Sequence, residues 1–436
     1  MIGPSAELLR FALAAALFAP AAVVLPWTTP LVLTAYATLA LLVAADWLRL
    51  RRTLPLGAER RLPARVFVGR TAAVAIDIRN RGTDTAHVEI VEEVPRLLRR
   101  DDPVFRGVVI PPGEARTVAY DITPAARGDH PIGALHLLRR SRFGLLERRE
   151  TLPGAVVSAW PDVNRIVRAC TPRHRSGRVG IQAARRRGQG SELDALRDYV
   201  PGDDTRRIVW GPSARRGHPV VRLDRHERNH TVWIAVDTSR LMGANVGQQT
   251  RLDQAVDVAL LLADGALGSQ DRVGMIAFDR SVHARIGPLR RRSDLGAFVA
   301  FTQPLHPRMV EPDYRGLARA LLGSLGQRAL IFVLSDFTEM EEDVVVASLG
   351  LLAKRHRVVL AGLRDPAFAR LEVREPGGED GLALYRRLVV ADLLEAREKV
   401  VGRLRRAGVD VIDCAAEQIS ARALDRYLQM RYGPER

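Results

Sequence analysis

From Thr231 onward the chain alternates short, uninterrupted apolar runs with longer amphipathic segments, and this alternation constrains the fold more than any other feature. The apolar runs are Thr231 to Val236, Val273 to Phe278, Ala329 to Leu334, Val358 to Leu363 and Val409 to Ile412. The amphipathic segments include Leu252 to Leu267, Arg315 to Leu325, Glu341 to His356, Ala391 to Ala407 and Ala421 to Tyr432. A strand that is apolar on both faces must be covered on both. Residues 231–436 are therefore expected to form a doubly wound α/β domain, a mostly parallel sheet between two helical layers. Sites in such sheets form at the carboxyl ends of the strands, so the residues just after each run are the ones to examine.

The first 52 residues have another character. Leu8 to Trp27 is apolar apart from Arg10, and a second run extends from Leu31 to about Leu48 with Asp46 near its end. Each approaches the ~20 residues that a helix needs to cross a hydrocarbon core. The connection Pro26-Trp-Thr-Thr-Pro30 suits a transmembrane helical hairpin, with Trp27 and Trp47 at interfacial positions. Arg10 near one end and Arg49, Arg51 and Arg52 beyond the other place both ends in the cytoplasm by the positive-inside rule. The expectation is a two-span protein of the cytoplasmic membrane with the bulk of the chain cytoplasmic. A cleaved signal peptide is the alternative for the first run, given the small residues Ala19, Ala21 and Ala22. The second run would then still stop transfer. A buried soluble hairpin is the blander alternative, disfavoured because both runs carry charge only near their ends.

Residues 53–162 read as a β-rich domain. Runs such as Val66 to Val68, Ala72 to Ile78, Val88 to Val91 and Arg116 to Ile122 are separated by turn signals at Asn80-Arg-Gly82, Pro111-Pro-Gly113 and Arg127-Gly-Asp129. That spacing suits an antiparallel β-sandwich or barrel without catalytic spacing. Residues 163–230 hold a basic linker, densest at Arg173-His-Arg175 and Arg185-Arg-Arg187, followed by a polar signature segment.

The formal charge of +16 would ordinarily suggest an anionic partner. Lys354 and Lys399 are the only lysines, however, and an arginine bias in a chain rich in Ala, Leu, Val and Gly is what a GC-rich genome produces. No aromatic residues interleave with the linker arginines, so nucleic acid is not an expected partner. Cys170 and Cys414 offer neither a disulfide framework nor a CxxC metal spacing.

The first apolar strand runs into Asp237-Thr-Ser-Arg-Leu241 and a later one into Ser335-Asp-Phe337. Two carboxylates and a hydroxyl converging on one crevice form a hard oxygen set of the kind that holds Mg²⁺. These residues resemble the metal-ion-dependent adhesion site of von Willebrand factor A domains, with Asp237, Ser239 and Asp336 matching. The resemblance implies a von Willebrand factor A-like (Rossmann-type) domain and a weak, degenerate Mg²⁺ site. Leu241 stands where a second Ser belongs, and Asp313 lies nearest the slot of a distant Thr. The alternative is that Asp237 and Ser239 cap the following turn.

The densest polar constellation runs from Gly188 to Trp210 and on through Ser213-Ala-Arg215. Ser191, Glu192 and Asp194 precede apolar-spaced residues, which predicts a short capped helix, and Pro201-Gly202 marks a turn. Glu192, Arg197, Tyr199, Pro201, Gly202, Asp203, Asp204, Arg206, Trp210, Ala214 and Arg215 resemble the signature of the bacterial domain of unknown function 58 family, with Leu193 where an aromatic is usual. That resemblance implies two N-terminal transmembrane segments, a β-rich region, a von Willebrand factor A-like domain and a MoxR-type AAA+ ATPase as partner. The alternating charges suggest a salt-bridged clasp among Asp203, Asp204, Arg206 and Arg215.

His226-Glu-Arg-Asn-His230 fits the HExxH pattern of zinc proteases. That chemistry needs a helix, and two strand-like segments leave no room for one. Neither a GxxxxGK[ST] phosphate loop nor a GxSxG elbow is present. The expected function is a membrane-tethered, non-enzymatic adaptor or scaffold working with the ATPase and other envelope or assembly proteins. The alternative is a metal-dependent hydrolase using Asp237, Asp336 and the Asp203-Asp204 cluster.

Overall fold

Two helices open the chain, Ala6–Val24 and Thr29–Arg52, and they lie side by side. Pro30 sits in the first turn of the second, where a missing N–H removes no hydrogen bond. The computed structural model describes residues 2–24, 28–99, 101–169, 192–201, 203, 205–225, 230–246, 249–337, 342–364 and 381–432. Among them, Thr29–Arg52 is the one helix long and apolar enough to cross a membrane.

The last turns of that helix have a different role. Asp46 and Leu50 are buried. The Ser141 hydroxyl donates to Asp46 Oδ2 at 2.5 Å, the Phe143 N–H donates to Oδ1 at 3.3 Å, and Arg148 donates to the Thr53 carbonyl at 2.7 Å. The acid that interrupts the second apolar run is thus satisfied by the β-rich segment. Before the first helix, Ile2–Pro4 pairs antiparallel with Leu146–Leu152, Ile2 opposite Arg148 and Pro4 opposite Leu146. The start of the first helix and the end of the second therefore meet the same five-stranded sheet.

That sheet runs in the order Ile2–Pro4, Leu146–Leu152, Leu135–Arg140, Ala86–Glu92, Val104–Ile110, and two three-stranded sheets accompany it. Alternate residues such as Ile76, Ile78, Val88, Ile90, Leu135 and Leu137 point into one core, the period of two that made these strands readable. The expected turn at Asn80 forms, its Oδ1 accepting from the Gly82 N–H at 3.0 Å while Nδ2 donates to the Ile110 carbonyl at 2.9 Å.

Contacts divide the chain into Met1–Pro161 and Asp162–Arg436. The second unit opens with a helical stretch at residues 163–169, where linker was expected, because Ile166 is buried in that unit's core. The rest of the predicted basic linker lies outside the described residues. Next comes a hairpin, Glu192–Asp198 paired with Val220–Arg225. A short capped helix is predicted there and a strand is found. The register slips between Leu193 and Ala195, and this bulge gives the strand's apolar residues a spacing like that of a helix.

The main sheet consists of β1 (Thr231–Asp237), β2 (Arg272–Phe278), β3 (Val282–Leu289), β4 (Leu330–Ser335), β5 (Arg357–Arg364) and β6 (Asp410–Ala415). Its spatial order is β3-β2-β1-β4-β5-β6, all pairs parallel except β2 with β3. The five expected strands occur within one residue of their predicted bounds, except that β6 runs three residues past the predicted Ile412. On one face lie α1 (Arg251–Gly268), α2 (Leu295–Thr302) and, from the chain's end, Ala416–Tyr432. On the other lie α3 (Tyr314–Ser324), α4 (Glu342–Ala353) and α5 (Gly381–Arg406). Sequential order reverses between β1 and β4, so the doubly wound switch point falls where β1 ends in Asp237 and β4 is followed by Asp336.

Candidate functional site

Asp237, Ser239 and Asp336 are brought together as expected, and all three are essentially inaccessible to water. Asp237 Oδ1 accepts the Ser239 N–H at 2.8 Å, a local turn of the kind Asp favours. Its Oδ2 accepts from the Ser335 hydroxyl, which meets the Tyr314 hydroxyl at 2.6 Å. Since Ser335 donates to Asp237, Tyr314 donates to Ser335, giving a buried relay of three groups. Burial pushes the Asp237 carboxyl up to about 6, against the lowering effect of the Ser335 and Ser239 hydrogen bonds. Burial and the neighbouring Asp237 push Tyr314 well above its usual value. The Ser239 hydroxyl is fully buried and has no hydrogen-bond partner at ordinary geometry among the described residues, though it lies close enough to Asp237 to favour its charged form.

Asp336 is held differently. Its Oδ1 accepts from Arg397 Nη1 at 3.0 Å and its Oδ2 from Arg251 Nη1. Arg251 is the first residue of α1, placed by a capping box in which Thr250 and Asp253 satisfy one another's backbone N–H groups. Arg397 comes from α5. It also donates to Asp413 within β6, at 3.0–3.2 Å, and stacks on the Phe337 ring with its guanidinium carbon 4.1 Å from the centroid. Room for this comes from Gly362 on β5, where a Cβ would lie 2.7 Å from both Arg397 Nη2 and Phe337 Cε1. Burial draws the Arg397 guanidinium down, but Asp413 and Asp336 more than offset it, so its charge is secure. A dication about 4 Å from one such guanidinium would meet repulsion of roughly 8 kcal/mol at an effective dielectric constant of 20.

The crevice is roofed. The Arg308 N–H donates to the Thr238 carbonyl at 2.7 Å and the Arg240 N–H to the Val310 carbonyl at 3.1 Å, strapping residues 308–310 over the end of β1. Met309, at the crest of the strap, is 87% exposed. Asp313, the candidate for the distant Thr slot, is the N-cap of α3, its Oδ1 accepting from the Gly316 N–H at 2.9 Å. Among the described residues no three His, Cys, Asp or Glu side chains are grouped so as to hold a metal.

The signature residues sit mainly on the hairpin and its connection. Arg197 pairs with Asp203, whose other oxygen accepts from the Val200 N–H at 3.0 Å, and Asp198 meets His218 at 2.8 Å. Arg197 is thus one ion-pair partner of Asp203, and the expected clasp among Asp203, Asp204, Arg206 and Arg215 includes Asp204, which lies outside the described residues. Arg206, Ala214 and Arg215 are exposed, as is Pro201, while Tyr199 is half-buried with its N–H bonded to the Pro219 carbonyl at 2.9 Å. Glu192 pairs in register with Arg225. Trp210 opens the short helix Trp210–Arg216 and is 73% exposed. Gly202 and Asp204 lie outside the described residues, as do residues 226–229 of the HExxH match and Cys170.

Sequence reasoning missed Arg251, Arg397, Asp413, Tyr314 and Gly362. One signal was present for Arg397. It falls on the same helical stripe as the buried Val400, Val401 and Leu404, and a charge on a core-facing stripe requires a buried partner.

Residues 195–377 match the family described as Protein of unknown function DUF58. The DUF58 match holds most of the hairpin, Asp237, Ser239, Arg251, Asp313 and Asp336, but neither Arg397 nor Asp413. Uncharacterized proteins of Mycobacterium bovis and Mycobacterium tuberculosis are 30% identical to this chain over 183 residues, 41% of this chain and 56% of theirs. The chain thus spans about half the length of the curated relatives it matches. Among solved structures, the CARDB domain of a Pyrococcus furiosus protein resembles 24% of this chain at 15% identity, covering 93% of that domain with a TM-score of 0.18. Proximal thread matrix protein 1 from the mussel byssus resembles 47% of this chain at 7% identity, over 46% of its own length, with a TM-score of 0.29.

Proposed function

We propose that this chain is a membrane-anchored, non-enzymatic adaptor or scaffold that binds protein partners through its α/β unit, which we read as von Willebrand factor A-like. The observation that carries this reading is the switch-point crevice, with its carboxylates sealed from water, committed to Ser335, Arg251 and Arg397, and roofed by a strap that exposes Met309. A hydrolase needs substrate within reach of its acid or base, and Asp237, Ser239 and Asp336 offer none. An exposed, adaptable Met at the end of a rigid sheet suits recognition. The MoxR-type AAA+ ATPase as first partner comes from the family resemblance.

Two spans with a cytoplasmic bulk form the anchor in this reading. Support comes from the pairing of Ile2–Pro4 with Leu146–Leu152, which keeps the start of the first helix and the end of the second on one side, beside Arg49, Arg51 and Arg52. Reporter fusions after Arg52 and at Arg436 are expected to report cytoplasm, and a periplasmic signal at either sinks the anchor. For the adaptor, the full chain in detergent is titrated with a MoxR-type AAA+ ATPase. Met309→Glu is expected to weaken binding with melting unchanged. Metal-dependent hydrolysis by the purified chain that Asp237→Asn abolishes would replace the adaptor with the enzyme.

A further inference from the structure

We propose that Arg251 and Arg397 together take the place and the charge of a divalent cation in the switch-point crevice, making it a metal-independent clasp between the two helical layers. This deepens the adaptor reading by removing ions from the control of its binding site, while the ion test below needs no partner.

Three observations converge. Each oxygen of Asp336, the carboxylate that would have to reach a cation from β4, already accepts from a guanidinium buried beside it. Arg251 Nη1 also reaches the carbonyl of Leu241 at 3.5 Å, and Leu241 is the residue that stands where an adhesion-type site would need a hydroxyl ligand. One ligand is missing, and a fixed positive charge has arrived at the same spot. Finally, Arg397 is built in rather than adventitious, since Asp413 fixes its far edge, Phe337 its face, and Gly362 leaves the space it fills.

The two arginines come from opposite faces of the sheet, Arg251 from α1 and Arg397 from α5. Asp336 is therefore the point at which both helical layers are tied to the carboxyl edge. A divalent ion with its waters would have to displace at least one guanidinium, leaving that charge buried without its partner, which is strongly unfavourable. Binding by the α/β unit is then insensitive to Mg²⁺, and the clasp persists whether or not an ion is supplied.

The test uses the full chain in detergent with Mn²⁺ as the probe, free ion being read by electron paramagnetic resonance. The expected result is no bound Mn²⁺ that responds to Ser239→Ala or Asp237→Asn, and the same melting temperature in EDTA and in Mg²⁺. One Mn²⁺ per chain whose affinity falls by about tenfold or more in Ser239→Ala overturns the proposal. The converse variant, Arg251→Ser, removes one guanidinium and supplies a hydroxyl. It is expected to melt lower in EDTA and to recover in Mg²⁺. A folded Arg251→Ser chain that gains no Mn²⁺ site means that the arginine does not stand in the cation's place. If that variant does not fold, the titration of the unaltered chain decides alone.

Discussion

The cluster at the ends of β1 and β4 and the hairpin Glu192–Arg225 are both rich in paired acid and base, yet they treat their charges in opposite ways. In the cluster, the Arg397 and Asp336 side chains are 2% and 1% exposed. In the hairpin, Arg197 and Asp203 keep 26% and 20% of their surface, and Trp210 stands in solvent. Charges withdrawn from water make every pairing obligatory, whereas charges left at the surface make pairing optional and the apolar neighbours available. The first arrangement determines rigidity. The second leaves a surface that a partner can read.

The sharpest way to break this contrast is Arg397→Ala. It removes the Asp413 contact and one of the two guanidinium partners of Asp336, and is expected to cost about 3–5 kcal/mol in denaturant unfolding of the full chain, because buried carboxylate oxygens lose their partner. A loss under about 1 kcal/mol would place the cluster with the hairpin as an exposed-type pair.

Next in size is a pH effect at Asp237. Its folded value of about 6 lies above the 3.8 of an unperturbed Asp, so between those values the folded state binds more protons than the unfolded. Stability from this group is therefore greatest below pH 3.8, falls as pH rises to about 6 and is flat beyond. The total fall is about 3 kcal/mol at 1.36 kcal/mol per unit. Asp237→Asn should lack this decline, and unfolding of both chains at about pH 3 and pH 7, roughly one unit outside that window on either side, checks it. Parallel profiles for the two would show that the carboxyl titrates elsewhere.

In the hairpin, Asp203→Asn is expected to change stability by about 0–1 kcal/mol, since the Arg197 pair is half-solvated. Smallest of all, Trp210→Ala should shift unfolding by no more than about 0.5 kcal/mol while weakening capture of the ATPase. A large stability loss from Trp210→Ala would mean that the exposed ring is structural.

The sequence reading succeeded where burial acts on a whole element and faltered where a single long-range pair decides. Strands β1, β2, β4, β5 and β6 were legible because a strand covered on both faces must be apolar throughout. Strand β3 escaped because it is an antiparallel edge, carrying His283, Arg285, Gly287 and Pro288 among its apolar residues. Helix α5 begins at Gly381 rather than Ala391; residues 381–390 are apolar apart from Arg386 and Arg387, so they lack the regular polar face against which an apolar stripe is read. At the site, Asp237 and Asp336 were found because strand ends are where to look. Arg251 and Arg397 stand 85 and 61 residues from Asp336 in sequence, and in so arginine-rich a chain neither is conspicuous. Asp313 was chosen for its place in the order of the motif, but its nearest donor is the N–H of its own helix. In the hairpin, the alternating charges announced ion pairs without saying which, and the pairs Arg197 with Asp203 and Asp198 with His218 emerge only once the strand pairing is known.

The five-stranded sheet of the first unit has two outer strands, and neither invites a neighbour. Ile2–Pro4 is only three residues long and ends in a proline, which has no N–H to offer an incoming strand. On the far side, Val104–Ile110 contains Gly107 with a φ of +68°, and the pairing with Ala86–Glu92 slips between Val88 and Ile90. In the anchored reading proposed above, molecules are confined to two dimensions and collide often, so an unguarded sheet rim would invite chains to zip together. Removing residues 2–4 would bare the backbone of Leu146–Leu152, and sedimentation of the shortened chain would show whether that short cover is what keeps neighbours apart.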